Sequence, residues 1–137
     1  MITQTLTTSF KTELLQGIHD FSTDTFKIAL YTSDASLGAD TTAYTTTGET
    51  EGSGYTAEGT TLIAVGPSSD GTVAYVSFNN TTWADASFTA AGALIYNSSK
   101  SNKSVAVLNF GNTKTALGTF TVQFPAATSS TAIIRIA

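Results

Sequence analysis

Two apolar runs separated by one polar loop constrain this chain more than any other feature. In FTAAGALIYNSSKSNKSVAVLNF, residues 88–110, the runs Ala93-Leu94-Ile95-Tyr96 and Val105-Ala106-Val107-Leu108 flank the loop. Each run is too short for an independent helix and is rich in strand-favouring side chains. The pair therefore reads as a β-hairpin buried on both faces. A hairpin with no wet face belongs in the middle of a layered β-domain.

The remaining segments fit around that hairpin. Phe26 to Thr32 is a strand with Phe26, Ile28 and Leu30 on one face and Lys27, Ala29 and Tyr31 on the other. Residues 33–58 are poor in aliphatics and rich in Thr, Gly, Asp and Glu. They read as a long excursion with a short strand near Tyr44, and long excursions in compact domains are functional or interacting. Tyr55 to Val65 is expected to be a strand, Pro67 to Gly71 a turn with Asp-Gly at its tip, and Thr72 to Phe78 a strand. Asn79 to Asp85 reads as a loop carrying Trp83. Gly111-Asn112 begins a turn, Phe120 to Phe124 alternates as a strand ended by Pro125, and Ala132 to Ile136 is a last strand.

Only residues 5–19 suggest a helix. Leu6, Phe10, Leu14 and Ile18 recur every fourth residue, Leu15 widens the stripe, and Thr5, Thr7 or Thr8 can cap the start. A helix of this length is marginal alone and must lay its stripe on the sheet or on a neighbouring subunit. The expected architecture is a single domain over residues 1–137. It is mainly β: an antiparallel β-sandwich or jelly-roll-like domain over 26–137 with one N-terminal α-helix over 5–19.

Composition excludes several classes of function. The chain has no Cys, so it holds no disulfide and no thiolate metal site. No apolar stretch approaches the roughly 20 residues of a membrane-spanning helix. The opening MITQTLTTSF lacks a basic start followed by an apolar run, so no signal peptide is expected. About a fifth of the residues are Thr and only 12% are charged. Hydroxyls thus carry the solubility, and Thr suits the wet face of a sheet. Residues 1–90 carry all ten acids against two lysines, a net of −8, whereas residues 91–137 carry three lysines and one arginine with no acid, a net of +4. A net acidic chain with one Arg is a poor binder of nucleic acid. The asymmetry suggests charge-complementary subunit surfaces, with the loop around Lys100 and Lys103 meeting the acidic segment Asp34 to Glu58 or a partner.

No residue pattern identifies a reaction. His19 is the only His, placed beside Asp20 at the expected helix end, where it reads as a cap or a solvated group. Asp34, Asp40, Glu49, Glu51 and Glu58 lack calcium-loop spacing and read as a solvated acidic loop. The glycines form no phosphate-binding loop. Trp83 with Tyr44 and Tyr55 reads either as core and interface or as a sugar platform. No catalytic, metal or cofactor site is expected.

Five segments together resemble a family of small tailed-phage and prophage proteins: SFKTELLQGIHDF, DTFKIALYTSDASLGADTTAYTT, GSGYTAEGTTL, AGALIYNSSKSNKSVAVLNFG and FPAATSSTAIIRI. The resemblance spans nearly the whole chain and brings no catalytic residues with it. It implies a non-enzymatic virion structural protein made in the host cytoplasm. The expected role is capsid decoration, or cement, by a homo-oligomer (dimer or trimer) bound to the major capsid protein. The alternative is a tail or tail-fibre component that binds a receptor or glycan. The candidate interface residues are Leu6, Phe10, Leu14, Lys100 and Lys103.

Overall fold

A computed structural model describes all 137 residues. It is mainly β, with two antiparallel sheets and one short helix. The elements in chain order are β1 (Thr5–Leu6), α1 (Thr8–Leu15), β2 (Phe26–Tyr31), β3 (Thr60–Thr61), β4 (Ala64–Asp70), β5 (Val73–Phe78), β6 (Thr81–Asn97), β7 (Lys103–Val122) and β8 (Ile134–Ile136). The larger sheet runs β1-β7-β6-β2-β3 and the smaller β4-β5-β8. No helix is long and apolar enough to cross a membrane.

The β6–β7 hairpin is the spine, with strands of 17 and 20 residues. Near its loop, Gly92 to Asn97 pair with Asn109 to Lys103, and here the hairpin is flanked by β2 on one side and β1 on the other. Farther out, Thr81–Ala90 pairs with Lys114–Val122 as a two-stranded ribbon. The expected loop at Asn79 to Asp85 and the expected turn at Gly111-Asn112 are both incorrect, since β6 already begins at Thr81 and β7 continues through Gly111. Irregularities in register absorb what looked like breaks. One lies between Ala90 and Gly92, opposite Phe110 to Thr113, and one at Asp85, where Asp85 (φ 53°) and Gly118 (φ 101°) take left-handed backbone.

Both faces of the central strands are covered, as the apolar runs require. One face carries Phe26, Ile28 and Leu30 of β2, Ile95 of β6 and Val105 of β7, which pack with Val76, Phe78 and Ile134 of the smaller sheet. This is the interior of a sandwich. The other face carries Ala29, Tyr31, Leu94, Tyr96 and Val107, covered by Ile2 and by Ala35 and Leu37 of the 33–58 excursion. The excursion holds little regular structure of its own. Beside β2 it makes a single bridge, Tyr31 to Glu49, and near Tyr44 another, Ala43 to Lys103. Tyr55 to Val65 is not a continuous strand. Only Thr60 and Thr61 pair, against Ile28 and Lys27. Gly59 explains the tight approach there: it has φ 76°, and a Cβ would stand 1.8 Å from the Ile28 carbonyl oxygen. Pro67 lies inside β4, and the turn narrows to Gly71 at its end.

The helix is shorter than the stripe suggests. Residues 5 and 6 are strand, paired with Val107 and Ala106. Thr7 caps α1 by accepting from the Phe10 N–H at 3.3 Å. Gly17 (φ 75°) ends it, with Ile18 N–H donating to Glu13 O and Gly17 N–H to Leu14 O, the paired bonds of a Schellman stop. Phe10 is fully buried, Leu6, Leu14 and Ile18 are half-buried, and Leu15 is 91% exposed. Leu15 therefore does not widen the buried stripe. Phe10→Ala is expected to cost about 3–5 kcal/mol by emptying a core site. Leu15→Ala should stay within about 0.5 kcal/mol. Chemical denaturation of both variants measures the contrast, and equal losses would contradict this packing.

Candidate functional site

The polar side chains that looked available for chemistry gather into two hydrogen-bonded hubs. The first joins α1 to the tip of the β6–β7 hairpin. The Schellman stop after α1 turns the chain so that His19 folds back beneath the helix, its ring 5.0 Å from that of Phe10. His19 is buried, and both ring nitrogens are engaged. Its Nε2 lies 2.9 Å from Glu13 Oε1 and its Nδ1 3.0 Å from Asn97 Nδ2. Asn97 is fully buried at the end of β6. Its amide nitrogen donates to His19 Nδ1 and, at 2.8 Å, to Asp24 Oδ2. That makes Nδ1 the acceptor and places the imidazole proton on Nε2, donated to Glu13. Asn97 Oδ1 accepts from the Ser99 N–H. Lys100 closes the hub on Asp24 at 2.9 Å.

His19 is thus a fastener between Glu13 and Asn97, not a cap on the last helix carbonyls as the sequence suggests. A general base needs a free nitrogen facing a nucleophile. Here an amide occupies one side and a carboxylate the other. Burial disfavours the charged form of Asp24, but the bonds from Asn97 and Lys100 prevail and hold its carboxyl down at about 2.

The second hub ties the 33–58 excursion to the central sheet. Glu49 accepts at Oε1 from Tyr44 Oη, and at Oε2 from Tyr55 Oη at 2.6 Å and the Glu58 N–H at 2.8 Å. Tyr55 Oη in turn accepts from the Leu30 N–H of β2. Tyr31 donates to Thr45 O and Tyr96 to Glu58 O, while the rings of Tyr44 and Tyr96 stack 5.0 Å apart. Burial raises the phenols of Tyr31, Tyr44, Tyr55 and Tyr96, and the Glu49 carboxylate raises them further. Glu49 is therefore structural rather than part of a solvated acidic loop, whereas the side chains of Asp34, Asp40, Glu51 and Glu58 stay at the surface, Glu58 contributing only its backbone to the hub. No three His, Asp or Glu side chains converge as a metal set.

Of the two readings of Trp83, Tyr44 and Tyr55, the sugar platform does not assemble and Trp83 belongs to the core. Trp83 is only 6% exposed and packs with Tyr55 and Phe120 inside the sandwich, while Tyr44 lies on the opposite face of the sheet. The candidate interface residues are divided. Phe10 is spent in the core, and Leu6 and Leu14 border it. The ammonium groups of Lys100 and Lys103 pair within the chain, with Asp24 and with Glu13 at 3.6 Å, and not with the acids of the 34–58 segment, which the loop meets through the backbone at Ala43. Asn97 and Asp24, which organise the first hub, escaped sequence reading because nothing local marks them. An Asn directly after a four-residue apolar run was the available signal.

The exposed surface is mostly hydroxyl-bearing and charged, with a few isolated apolar side chains. Leu117 is 81% exposed, and Ile63 and Ile136 are also open. One groove of about 500 Å³ lies beside the outer half of β7, lined by Phe110, Lys114, Phe120, Val122, Phe124 and Ile133 among others. A second, of about 330 Å³, lies between Leu14, Phe21 and the β8 side chains Ile134 and Ile136. No protein-family model, curated protein or solved structure matches the chain.

The two hubs set the pH limits of the fold. The raised phenols stay protonated in the folded chain but ionise near 10.0 once it opens, so their contribution is complete below pH 10 and is lost above it. Asp24 works in the opposite sense. Its folded value of about 2 lies below the ordinary 3.8, so its contribution is present above pH 3.8 and lost as pH falls toward 2. Melting temperature against pH should therefore drop at both ends, with tyrosinate absorbance rising together with unfolding. Full tyrosine ionisation near pH 10 in a still-folded chain would contradict the second hub.

Proposed function

We propose that this chain is a non-enzymatic structural protein of a tailed-phage virion, a capsid decoration protein that self-associates and binds the major capsid protein. One observation carries the reading. The side chains with chemical potential are consumed as internal fasteners, while the open surface offers strand edge, hydroxyls and isolated apolar side chains. Such a surface gains free energy by being covered, chiefly through burial of apolar area. The sequence resemblance to small tailed-phage proteins points the same way.

Two further features suit the role. The central sheet is buried on both faces, so the domain depends on no disulfide or metal to persist outside a cell. Few exposed charges leave association governed by apolar contact and hydrogen bonds, with ion pairs tuning it. The in-chain pairing of Lys100 and Lys103 reduces their share in any such contact. The alternative of a glycan-binding tail fibre calls for an exposed aromatic platform, and the burial of Trp83 and Tyr55 weighs against it.

Quantitative mass spectrometry of purified particles tests the reading. The decoration role predicts copies in fixed proportion to the major capsid protein, and particles lacking the chain should rupture at lower temperature. A few copies per particle would instead indicate a tail component. Absence from particles would overturn the virion role altogether.

A further inference from the structure

We propose that the outer half of β7 is the contact surface of a two-fold dimer, in which Thr113 to Thr121 pairs antiparallel with the same segment of a second copy about an axis at Leu117. The proposal deepens the self-association in the reading above and gives it a surface and a symmetry.

The edge is open. β6 flanks β7 on one side along its length. On the other side β1 covers only Ala106 and Val107, and the Gln4 side chain takes the Asn109 N–H. From Lys114 to Val122 no strand flanks that outer edge. The edge is also poorly guarded. Soluble proteins blunt long edges with Pro, charges, bulges or a covering loop. This stretch has no Pro and one charge, Lys114. The bulge at this level places its extra residue, Asp85, on β6; Gly118 of β7 answers it with left-handed backbone (φ 101°), and the side chains of β7 on either side of it keep their inward-outward alternation. A two-stranded ribbon is itself marginal, and two ribbons joined edge to edge make a four-stranded sheet.

The side chains say what covers it. Thr113, Thr115, Leu117, Thr119 and Thr121 all face solvent. Read in either direction, that row is Thr, Thr, Leu, Thr, Thr. An isologous contact needs this property, because each residue i that meets j must also be met by it. Antiparallel pairing about Leu117 sets Thr113 opposite Thr121 of the second copy and Thr115 opposite Thr119 of the second copy. Cross-strand Thr pairs are favourable, and the most exposed apolar side chain of the ribbon is buried against its own counterpart.

The inward row fits the same axis. Lys114 falls opposite Phe120 of the second copy, and both residues line the larger groove. An ammonium over an aromatic ring is attractive, so the one charge on the edge finds a partner instead of blocking the contact. A nine-residue strand spans about 30 Å and its edge alone falls short of the roughly 800 Å² per partner of a stable interface. The groove bordering the edge lets the second copy cover Phe110, Phe120 and Val122 as well. A cyclic trimer would instead need β7 to meet a different edge; β3, at the far side of the sheet, is two residues long, and the outer side of β6 in the ribbon is covered near Ala84 to Phe88 by residues 52–54, with Ser53 bridged to Ser87.

The test uses the purified full chain without particles, so its outcome is independent of the particle measurement above. Analytical ultracentrifugation at micromolar concentration should show a dimer. Leu117→Lys and Leu117→Glu, by setting like charges against each other on the axis, should each weaken it by at least about tenfold. Their melting should match that of the monomer, since Leu117 makes no core contact. Mixing the two variants should restore a dimer, because opposite charges then meet across the axis. If either variant fails to fold, Leu117→Cys replaces it. Opposed Cα atoms of an antiparallel pair lie about 4.5–5.5 Å apart, within the span a disulfide bridges, so mild oxidation should link two copies of an otherwise Cys-free chain. A monomeric or trimeric wild type, charge variants that remain dimeric, a mixture that stays monomeric, or a Leu117→Cys chain that does not cross-link would each overturn the proposal.

Discussion

Glu49 accepts three hydrogen bonds at the place where the 33–58 excursion returns to β2, and the second face of the central sheet depends on it. Leu94, Tyr96 and Val107 point away from the sandwich interior. Left uncovered, they would present an apolar face to water. Apart from Ile2, the cover is an irregular segment with few aliphatic side chains, which cannot hold itself down by apolar burial alone. Hydrogen bonds substitute. The Glu49 carboxylate gathers Tyr44, Tyr55 and the Glu58 N–H, Tyr55 reaches on to the Leu30 N–H, and Thr50 donates to Thr89 O. Such bonds count for more in a partly dry setting, because each buried donor would otherwise be left unsatisfied.

The same logic operates at the hairpin tip. Asn97 is buried where β6 ends, and an unpaired amide there would be costly. His19, Asp24 and the Ser99 N–H satisfy it, and in doing so they fix the segment after α1 against the sheet. No buried side-chain nitrogen or oxygen is left without a partner. The residues that most invite a catalytic reading are thus the ones the fold uses most fully. This is why the functional reading turns to the surface, where an open strand edge and Leu117 stand without partners.

The sequence was legible where burial imposes a period. The two runs at 93–96 and 105–108, and the alternation of Phe26, Ile28 and Leu30 against Ala29 and Tyr31, report their two covered faces directly. It was misleading where punctuation residues sit inside strands. Gly111 and Pro67 signal turns locally, yet the long hairpin accommodates the first through a register irregularity, and β4 carries the second within it. The helix stripe erred for a similar reason: Leu6 shares the spacing but belongs to β1, whose pairing with β7 outweighs local helix preference. The hubs were least legible of all. Glu49 and Tyr55 are six residues apart, but His19 and Asn97 are 78 apart, and no local pattern announces a bond across that distance.

The account stands most directly on the claim that Glu49 holds the cover on the central sheet. Amide hydrogen exchange on Glu49→Gln measures it. The Gln side chain keeps one acceptor oxygen but turns an NH₂ toward donors, leaving part of the Tyr44, Tyr55 and Glu58 set unsatisfied. Residues 33–58, and Ser104, whose N–H donates to Thr42 O, should then lose protection selectively, while the hairpin segments 93–97 and 105–108 keep theirs, since their bonds to each other, to β1 and to β2 do not pass through Glu49. Unchanged protection across 33–58 in the variant would contradict the account.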